Sequence, residues 1–506
     1  MTFDSATFFL FAAVIVPLHW CMRSAKTQNR LLLVASYVFY GWWDWRFCFL
    51  IAGSSLLDFW IANRISRSFK AKPDGSIARW YLYGSIAANL SLLGVFKYFD
   101  FFADSFAAAA STIGLHPRQT TLNLILPVGI SFYTFQTLSY TIDVYRKRIS
   151  ASQQIVPYLA FVSFFPQLVA GPIERASALL PQFNRTRRFD SELARSGLRL
   201  ILWGLFKKLV IADQLAVVVD QIYDDPTAHG GPILFFATVC FAFQIYGDFS
   251  GYSDVAIGTA RLLGIRLMRN FNYPYFSQSI GEFWQRWHIS LSTWFRDYVY
   301  IPLGGSHCSS FRHRCNLLAT FLVSGLWHGA AWNFVAWGGI NGVAIAGWSP
   351  SGHRKKSNSD QGSGFSQRKQ ETGRAIVGGH PDLPRPITLF RIWRTLLVVS
   401  LGWVFFRARS LSEAIGIINT IVRDSIDRVQ LNSFVSTYQS DRCFETALIA
   451  SFILVVWEWF QRRRECPLDF LRLPRMVRWT IYSTLIWVML YTVAGLERAE
   501  FIYFRF

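Results

Sequence analysis

The feature that most limits how this chain folds is a series of apolar runs separated by clusters of basic residues. Of its 506 residues, 52% are hydrophobic and only 16% are charged. Soluble proteins are about 25% charged, and no soluble domain of ordinary packing needs so little polar surface. The pattern therefore predicts an all-α integral membrane protein, because helices pair their own backbone groups within lipid.

The charge balance is strongly positive, with 51 Lys and Arg against 31 Asp and Glu and a net charge of +20. On a soluble protein this balance would indicate a nucleic-acid partner. Here the basic residues lie between apolar runs, as in cytoplasmic loops under the positive-inside rule, so no nucleic acid is expected. The alternative is an anionic partner at the inner face, such as a carrier protein or a phosphate-bearing donor.

Cysteine spacing predicts neither a disulfide framework nor a redox motif, because the seven cysteines include no CxxC pair. The tract His307–Cys315 holds two histidines and two cysteines, but its spacing matches no common zinc finger. No metal site is expected.

The apolar runs predict a multi-pass topology of roughly ten to twelve membrane elements, several of them partial. Basic residues follow the run Ala6–Met22, the reverse of a signal peptide, which predicts a retained span with its N-terminus outside. Leu31–Trp43 and Phe47–Ala62 are too short for full spans and predict a hairpin with tryptophans at its outer tip. Val156–Leu180 is interrupted by prolines and predicts a re-entrant segment. Leu317–Trp348 is too long for one upright helix and predicts a bend or two elements.

Domain organisation is predicted to be simple, with residues 1–506 forming one multi-span membrane domain. Within it, residues 349–386 are rich in Ser, Gly, Lys, Arg and Gln and predict a flexible basic cytoplasmic loop. The sequence shows no internal repeat, which weakens the hypothesis of a transporter built from duplicated halves.

Polar residues inside apolar runs are candidate functional residues, because polar groups are costly in lipid. The clearest is His328, in the string SGLWHGAAWNF, since imidazole takes up and returns a proton near neutral pH. Gly325 and Gly329 would let a second backbone or a substrate chain approach closely, and Asn333 would orient a polar group. The alternative is that His328 only hydrogen-bonds a packed neighbouring helix.

A second segment, FWQRWHISLSTWFRDY, is predicted to form one helix lying in the membrane interface. On that helix, one stripe is shared by Trp284, His288, Leu291 and Phe295. The alternative for His288 is membership of an aromatic belt at the membrane surface.

Two pairs of charged residues also lie at or within apolar runs. The string YGDFSGYSD places Asp248 and Asp254 at the end of such a run, where the alternative is a polar cap outside the membrane. Lys207 and Lys208 lie near the middle of another run. They are predicted either to meet donor phosphates or, as the favoured alternative, to snorkel to the interface.

Together these strings resemble the signature of the membrane-bound O-acyltransferase family, in its bacterial branch that acts on alginate and on teichoic acid. Supporting strings are FPQLVAGPIER, GLFKKLVIAD, WVFFRA and FIYFRF, and the resemblance extends from about Phe165 to the C-terminus. Arg505 departs from the pattern, which has Gln at this place, so the resemblance assigns no role to the tail.

The resemblance implies a transmembrane O-acyltransferase whose fold is a ring of tilted, partly short and re-entrant helices around a central tunnel. The family's essential histidine falls on His328 and its second histidine on His288. No bound cofactor is implied, and the donor is expected to be acetyl-CoA or another acyl thioester at the cytoplasmic face. The acyl group would cross a bacterial inner membrane toward an exopolysaccharide such as alginate, toward peptidoglycan, or to a separate periplasmic acetyltransferase partner.

On this hypothesis His328 acts as general base on an acceptor hydroxyl, or briefly carries the acyl group itself. The tetrahedral oxyanion needs a hydrogen-bond donor, for which His288, Asn333 or a tryptophan N–H is available. The candidate substrate contacts are Asp248, Asp254, Asn333, Trp327 and Arg296.

Three alternatives stay open at the level of the sequence. One is D-alanyl transfer to a polymer of the teichoic acid type. Another is a polysaccharide or lipid transporter that uses the same buried polar groups as a permeation path. The third is an assembly scaffold with no chemistry of its own.

Overall fold

All regular secondary structure in the part of the chain that the structure describes is helical. This computed structural model describes residues 1–117, 121–169, 171–348, 386–424, 442–462, 468, 473–493 and 501–502. The first ten helices are α1 (Ala6–Cys21), α2 (Ala25–Gly41), α3 (Phe47–Ala71), α4 (Ser76–Leu93), α5 (Phe99–Thr112), α6 (Ile130–Tyr145), α7 (Ile155–Ser163), α8 (Phe165–Leu168), α9 (Ala176–Phe183) and α10 (Ser191–Phe206). They are followed by α11 (Asp213–Asp224), α12 (Gly231–Leu262), α13 (Ile280–Arg286), α14 (Ile289–Phe295), α15 (Ser310–His328), α16 (Trp332–Trp348), α17 (Pro386–Arg407), α18 (Leu411–Arg423), α19 (Arg442–Gln461) and α20 (Arg475–Val493). The predicted all-α class is confirmed.

Several helices are long and apolar enough to cross a bilayer, which fits a multi-pass membrane protein. Among the described residues, these spans are Phe47–Ala71, Ser76–Thr112, Gly231–Leu262, Pro386–Arg407 and Phe444–Gln461. At the turn between α2 and α3, three tryptophans are exposed, as expected of side chains at a membrane interface. They are Trp42, Trp43 and Trp45, with 61%, 48% and 66% of their surface accessible.

The prediction that the apolar run ending at Ala62 forms a short span is wrong. Helix α3 continues for nine further residues to Ala71 and has 25 in all. The helix continues through its basic residues because their side chains find favourable contacts along it. The Arg64 guanidinium lies 5.0 Å from the Trp60 ring centroid, and Lys70 lies in the last turn, where the helix dipole favours a cation.

Helix α12 is enclosed by protein rather than by lipid, since 78% of its most apolar window is buried. It packs closely on α10 through glycines. A Cβ on Gly251 would lie 2.7 Å from the Gly204 carbonyl oxygen, and one on Gly258 would lie 2.5 Å from that of Gly197. Small residues at this spacing let two membrane helices approach at backbone distance.

The segment expected to be re-entrant is divided into the short helices α7, α8 and α9. Phe161, Phe164 and Phe165 in it are fully buried, so protein surrounds its broken backbone. The predicted basic loop at 349–386 lies outside the described residues, except for Pro386, which begins α17.

Candidate active site

The backbone around His328 is built by the junction of two helices. Helix α15 ends at His328, Gly329 is extended with φ −156° and ψ 145°, and α16 begins at Trp332. The run from Leu317 was predicted to hold a bend or two elements, and the structure shows two helices. A Cβ on Gly329 would overlap the Phe334 ring, and one on Gly325 would overlap the Phe334 carbonyl. Of the two uses predicted for these glycines, the structure shows close approach of a second backbone at Gly325, whereas Gly329 lies against a side chain.

The imidazole of His328 lies in an aromatic enclosure and not on the lipid-facing surface. His328 is 5% exposed. Its ring centroid lies 5.0 Å from that of Trp327, 5.1 Å from that of Trp337 and 5.3 Å from that of Phe406. The ring of His288 lies 6.5 Å away, so the two candidate histidines share one buried site.

The expectation of one continuous helix through His288 is wrong. Helix α13 ends at Arg286 and α14 begins at Ile289, with His288 between them in the left-handed region at φ 45° and ψ 54°. The break has a long-range cause. The Asn272 N–H donates to the Arg286 carbonyl at 2.9 Å, and the Ile289 N–H donates to the Asn270 carbonyl at 2.8 Å. Left-handed backbone in a non-glycine residue is strained and is retained where the surroundings fix it.

Asn270 orients the His288 ring. Its Oδ1 lies 3.1 Å from Nδ1 of His288 and also accepts hydrogen bonds from the Ser290 N–H at 3.3 Å and hydroxyl at 3.0 Å. Because Oδ1 is an acceptor, Nδ1 carries the proton and Nε2 carries the lone pair of a neutral ring. The Asn270 amide is held in turn by donation to the Ser253 hydroxyl on α12, at 3.3 Å.

Trp327 contributes a buried donor next to His328. The side chain is 4% exposed, and its indole N–H has no hydrogen-bond partner among the described residues. Its ring stacks on that of Phe135 at 5.4 Å and lies edge-on to that of Phe132 at 5.6 Å. A buried N–H without a partner is costly, so its presence beside a buried imidazole marks a position where an oxygen of a ligand would be stabilised.

Arg296 lies away from His328, in the same helical turn as Tyr298. Its guanidinium donates to Asp297 at 2.7 Å, and Arg175 also contacts that carboxylate. Burial alone would raise the pKa of Asp297, but hydrogen bonds from Arg296 and Arg175 and their charges hold this pKa below its usual value.

A row of aromatic rings connects Tyr298, in the same turn as Arg296, to Trp327 beside His328. Their centroid distances are 5.0 Å (Tyr298–Trp294), 3.7 Å (Trp294–Phe135) and 5.4 Å (Phe135–Trp327).

Asp248 and Asp254 lie inside α12, so the alternative that they cap the end of a helix is wrong. Snorkelling of the two lysines is wrong as well, because both side chains are 3% exposed. Lys208 pairs with Asp248 and Asp213 at 2.8 Å each, and Lys207 pairs with Asp254 at 2.7 Å. Burial of both signs together compensates the cost of each charge.

Two further contacts define where the remaining predicted residues lie. Asp248 also accepts the backbone N–H of Ile502 at 2.7 Å, which joins Ile502 to α12. The Asn333 amide donates to the carbonyls of Phe405 at 3.1 Å and Ala408 at 2.9 Å, joining α16 to the end of α17. The site thus brings together His328, His288 and Trp327, while Asp248, Asp254 and Asn333 make structural contacts around it.

The chain is similar to known proteins over the segment that carries both histidines. The model of the membrane-bound O-acyltransferase family matches residues 145–348, which include both histidines. The probable alginate O-acetylase AlgI of Azotobacter vinelandii is 40% identical over 419 residues, covering 82% of this chain and 76% of that protein. The chain belongs to the membrane-bound O-acyltransferase family.

Two other relatives show the range of this family. The peptidoglycan O-acetyltransferase of Helicobacter pylori is 35% identical, covering 82% of this chain and 78% of that protein. The teichoic acid D-alanyltransferase of Streptococcus thermophilus is 29% identical and covers 46% of this chain and 58% of that protein. The protein is therefore a membrane-bound O-acyltransferase.

Some residues of this acyltransferase site were not predicted. Asn270 is one, because nothing local marks an asparagine as the partner of a histidine 18 positions later. Trp337 and Phe406, which enclose His328, are others. They are ordinary aromatic residues in apolar runs, and only the tertiary fold brings them to the imidazole.

Proposed function

We propose that this protein transfers an acetyl group from a cytoplasmic acyl thioester, such as acetyl-CoA, across the bacterial inner membrane. The group goes to an extracytoplasmic polysaccharide or to a periplasmic acetyltransferase partner. The observation that carries the proposal is the pair of buried histidines, with ring centroids 6.5 Å apart in an aromatic enclosure inside a membrane protein. A polar pair is costly there and is expected to be functional.

His328 acts as the general base. Its imidazole takes the proton of the acceptor hydroxyl as the oxygen attacks the acetyl carbonyl carbon. The tetrahedral intermediate then collapses with cleavage of the carbon–sulfur bond, and the imidazolium returns the proton to the departing thiolate. In the relay variant, the imidazole attacks first, releases the thiol and then passes the acetyl group to the hydroxyl.

Trp327 is the favoured donor to the oxyanion. Its buried N–H has no partner among the described residues, so it is available to an oxygen that gains negative charge. A neutral His288 that donates from Nδ1 to Asn270 presents a lone pair at Nε2. His288 is therefore not suited to stabilise the oxyanion, and it accepts a hydrogen bond from a substrate O–H or N–H group other than the attacking hydroxyl.

Acetyl transfer is favoured over D-alanyl transfer because the two kinds of relative match different shares of this chain. Relatives named as O-acetylating enzymes align with 82% of the chain, and the named D-alanyltransferase aligns with 46%. A transporter or scaffold without chemistry loses support, because the family consists of acyltransferases.

The test uses inside-out membrane vesicles that contain the acceptor polysaccharide in their lumen. Labelled acetyl-CoA is added outside, at the cytoplasmic face, and label in the luminal polymer is measured. We expect transfer with the wild-type chain and none above background with His328→Ala. The matched control is His116→Ala, an exposed histidine, which should retain transfer. Full transfer by His328→Ala would overturn the proposal.

A further inference from the structure

A lysine lies within one of the membrane-spanning helices. Lys97 is part of the continuous helical segment Ser76–Thr112, in a π-helical turn formed by Gly94–Tyr98. No carboxylate among the described residues pairs with its ammonium group. An ionisable residue at such a position is costly and needs compensating partners.

Its partners are the last carbonyls of the helix that carries His328. The ammonium donates to the Trp327 carbonyl at 2.7 Å and to the His328 carbonyl at 3.3 Å. It also lies 5.9 Å from the centroid of the Trp327 ring. The last carbonyls of a helix have no partner within it, and a cation at this end is favoured by the helix dipole.

We propose that Lys97 is a positioning residue for acyl transfer, acting by fixing the last turn of α15. Both residues whose carbonyls it binds have side chains in the site, the imidazole of His328 and the indole of Trp327. Movement of this turn would displace both together. The inference rests on the proposed function and extends it to a residue outside the segment 145–348 that matches the family model.

The local backbone supports this assignment. A π-helical turn contains an extra residue, which changes the direction in which its side chains project, and such turns are frequent at functional sites. Here the turn places the Lys97 ammonium group at the C-terminal end of α15, where it contacts Trp327, 230 positions further along the chain. Gly329 leaves the helix directly after His328, so its backbone does not cover these carbonyls.

The test compares acetyl transfer by Lys97→Met and Lys97→Arg, both normalised to the amount of folded protein. We expect K97M to lower kcat by about 10²-fold with little change in KM, because small misplacement of a reacting group has this effect. K97R keeps a cation with N–H donors and should recover much of the loss. Lys26→Met, at an exposed lysine, is the matched control. If the K97M protein does not accumulate in the membrane, Lys97→Gln takes its place in the comparison, because glutamine keeps N–H donors but lacks the charge.

The outcomes separate this inference from the proposed function. Loss of transfer in His328→Ala together with wild-type kcat in K97M would overturn the role of Lys97 alone. Equal losses in K97M and K97R would also overturn it, since a cation would then not restore the turn. Full transfer by His328→Ala would overturn the proposed function, whatever the Lys97 variants show.

Discussion

The imidazole rings of His288 and His328 lie 6.5 Å apart at an interplanar angle of 63°. The two residues reach this arrangement differently. His328 ends a helix that is anchored by neighbouring helices, whereas His288 lies in a helix break fixed by main-chain bonds to residues 270–272. At this spacing the two rings do not hydrogen-bond to each other.

Asn270→Ala is expected to lower kcat for acetyl transfer by at least about tenfold, because the variant loses the acceptor that sets the tautomer and orientation of His288. Asn270→Asp keeps an oxygen at this place and should retain more activity than the alanine variant. The measurement is the steady-state rate in membrane vesicles. Equal rates for both variants and the wild type would show that Asn270 does not orient a catalytic ring.

Trp327→Phe is expected to lower kcat by about 10²–10³-fold, the effect of removing one oxyanion donor, while leaving the aromatic packing nearly intact. KM should change little, because the interaction forms in the transition state. Trp203→Phe is the control, since Trp203 is also buried and its N–H also lacks a partner among the described residues. A similar rate loss in both variants would indicate a general effect of tryptophan removal.

The sequence predicted the parts of this protein that depend on local pattern. His328 was identifiable as a lone histidine in an apolar run, and the length of that run indicated two helices. The break at His288 was not predictable, because backbone groups of residues 270–272 compete with helical bonding there. The burial of Lys208 was not predictable either, because its partner Asp248 lies 40 positions further along the chain and only the tertiary fold brings the two together.

Lys208→Met is expected to destabilise the protein by about 3–5 kcal/mol, because it leaves the buried carboxylates of Asp248 and Asp213 without their cation. The measurement is SDS-induced unfolding in mixed micelles. Lys208→Met combined with Asp248→Asn removes one of the uncompensated charges and should recover part of the loss. A double variant less stable than the single one would show that Asp248 is stabilised mainly by other groups, such as the Ile502 N–H.

Gly258→Ala is expected to destabilise the protein by about 1–3 kcal/mol, because the added methyl group would lie 2.5 Å from the Gly197 carbonyl oxygen and would force α10 and α12 apart. Gly84→Ala is the matched control. It lies within α4 and has no atom within 4 Å of the added Cβ, so it should be neutral or slightly stabilising. The same unfolding assay compares the two. Because Ser253 on α12 holds Asn270, separation of the helices should also lower acetyl transfer in Gly258→Ala. Unchanged stability in this variant would mean that α10 and α12 repack without cost and that the glycine contact does not set their distance.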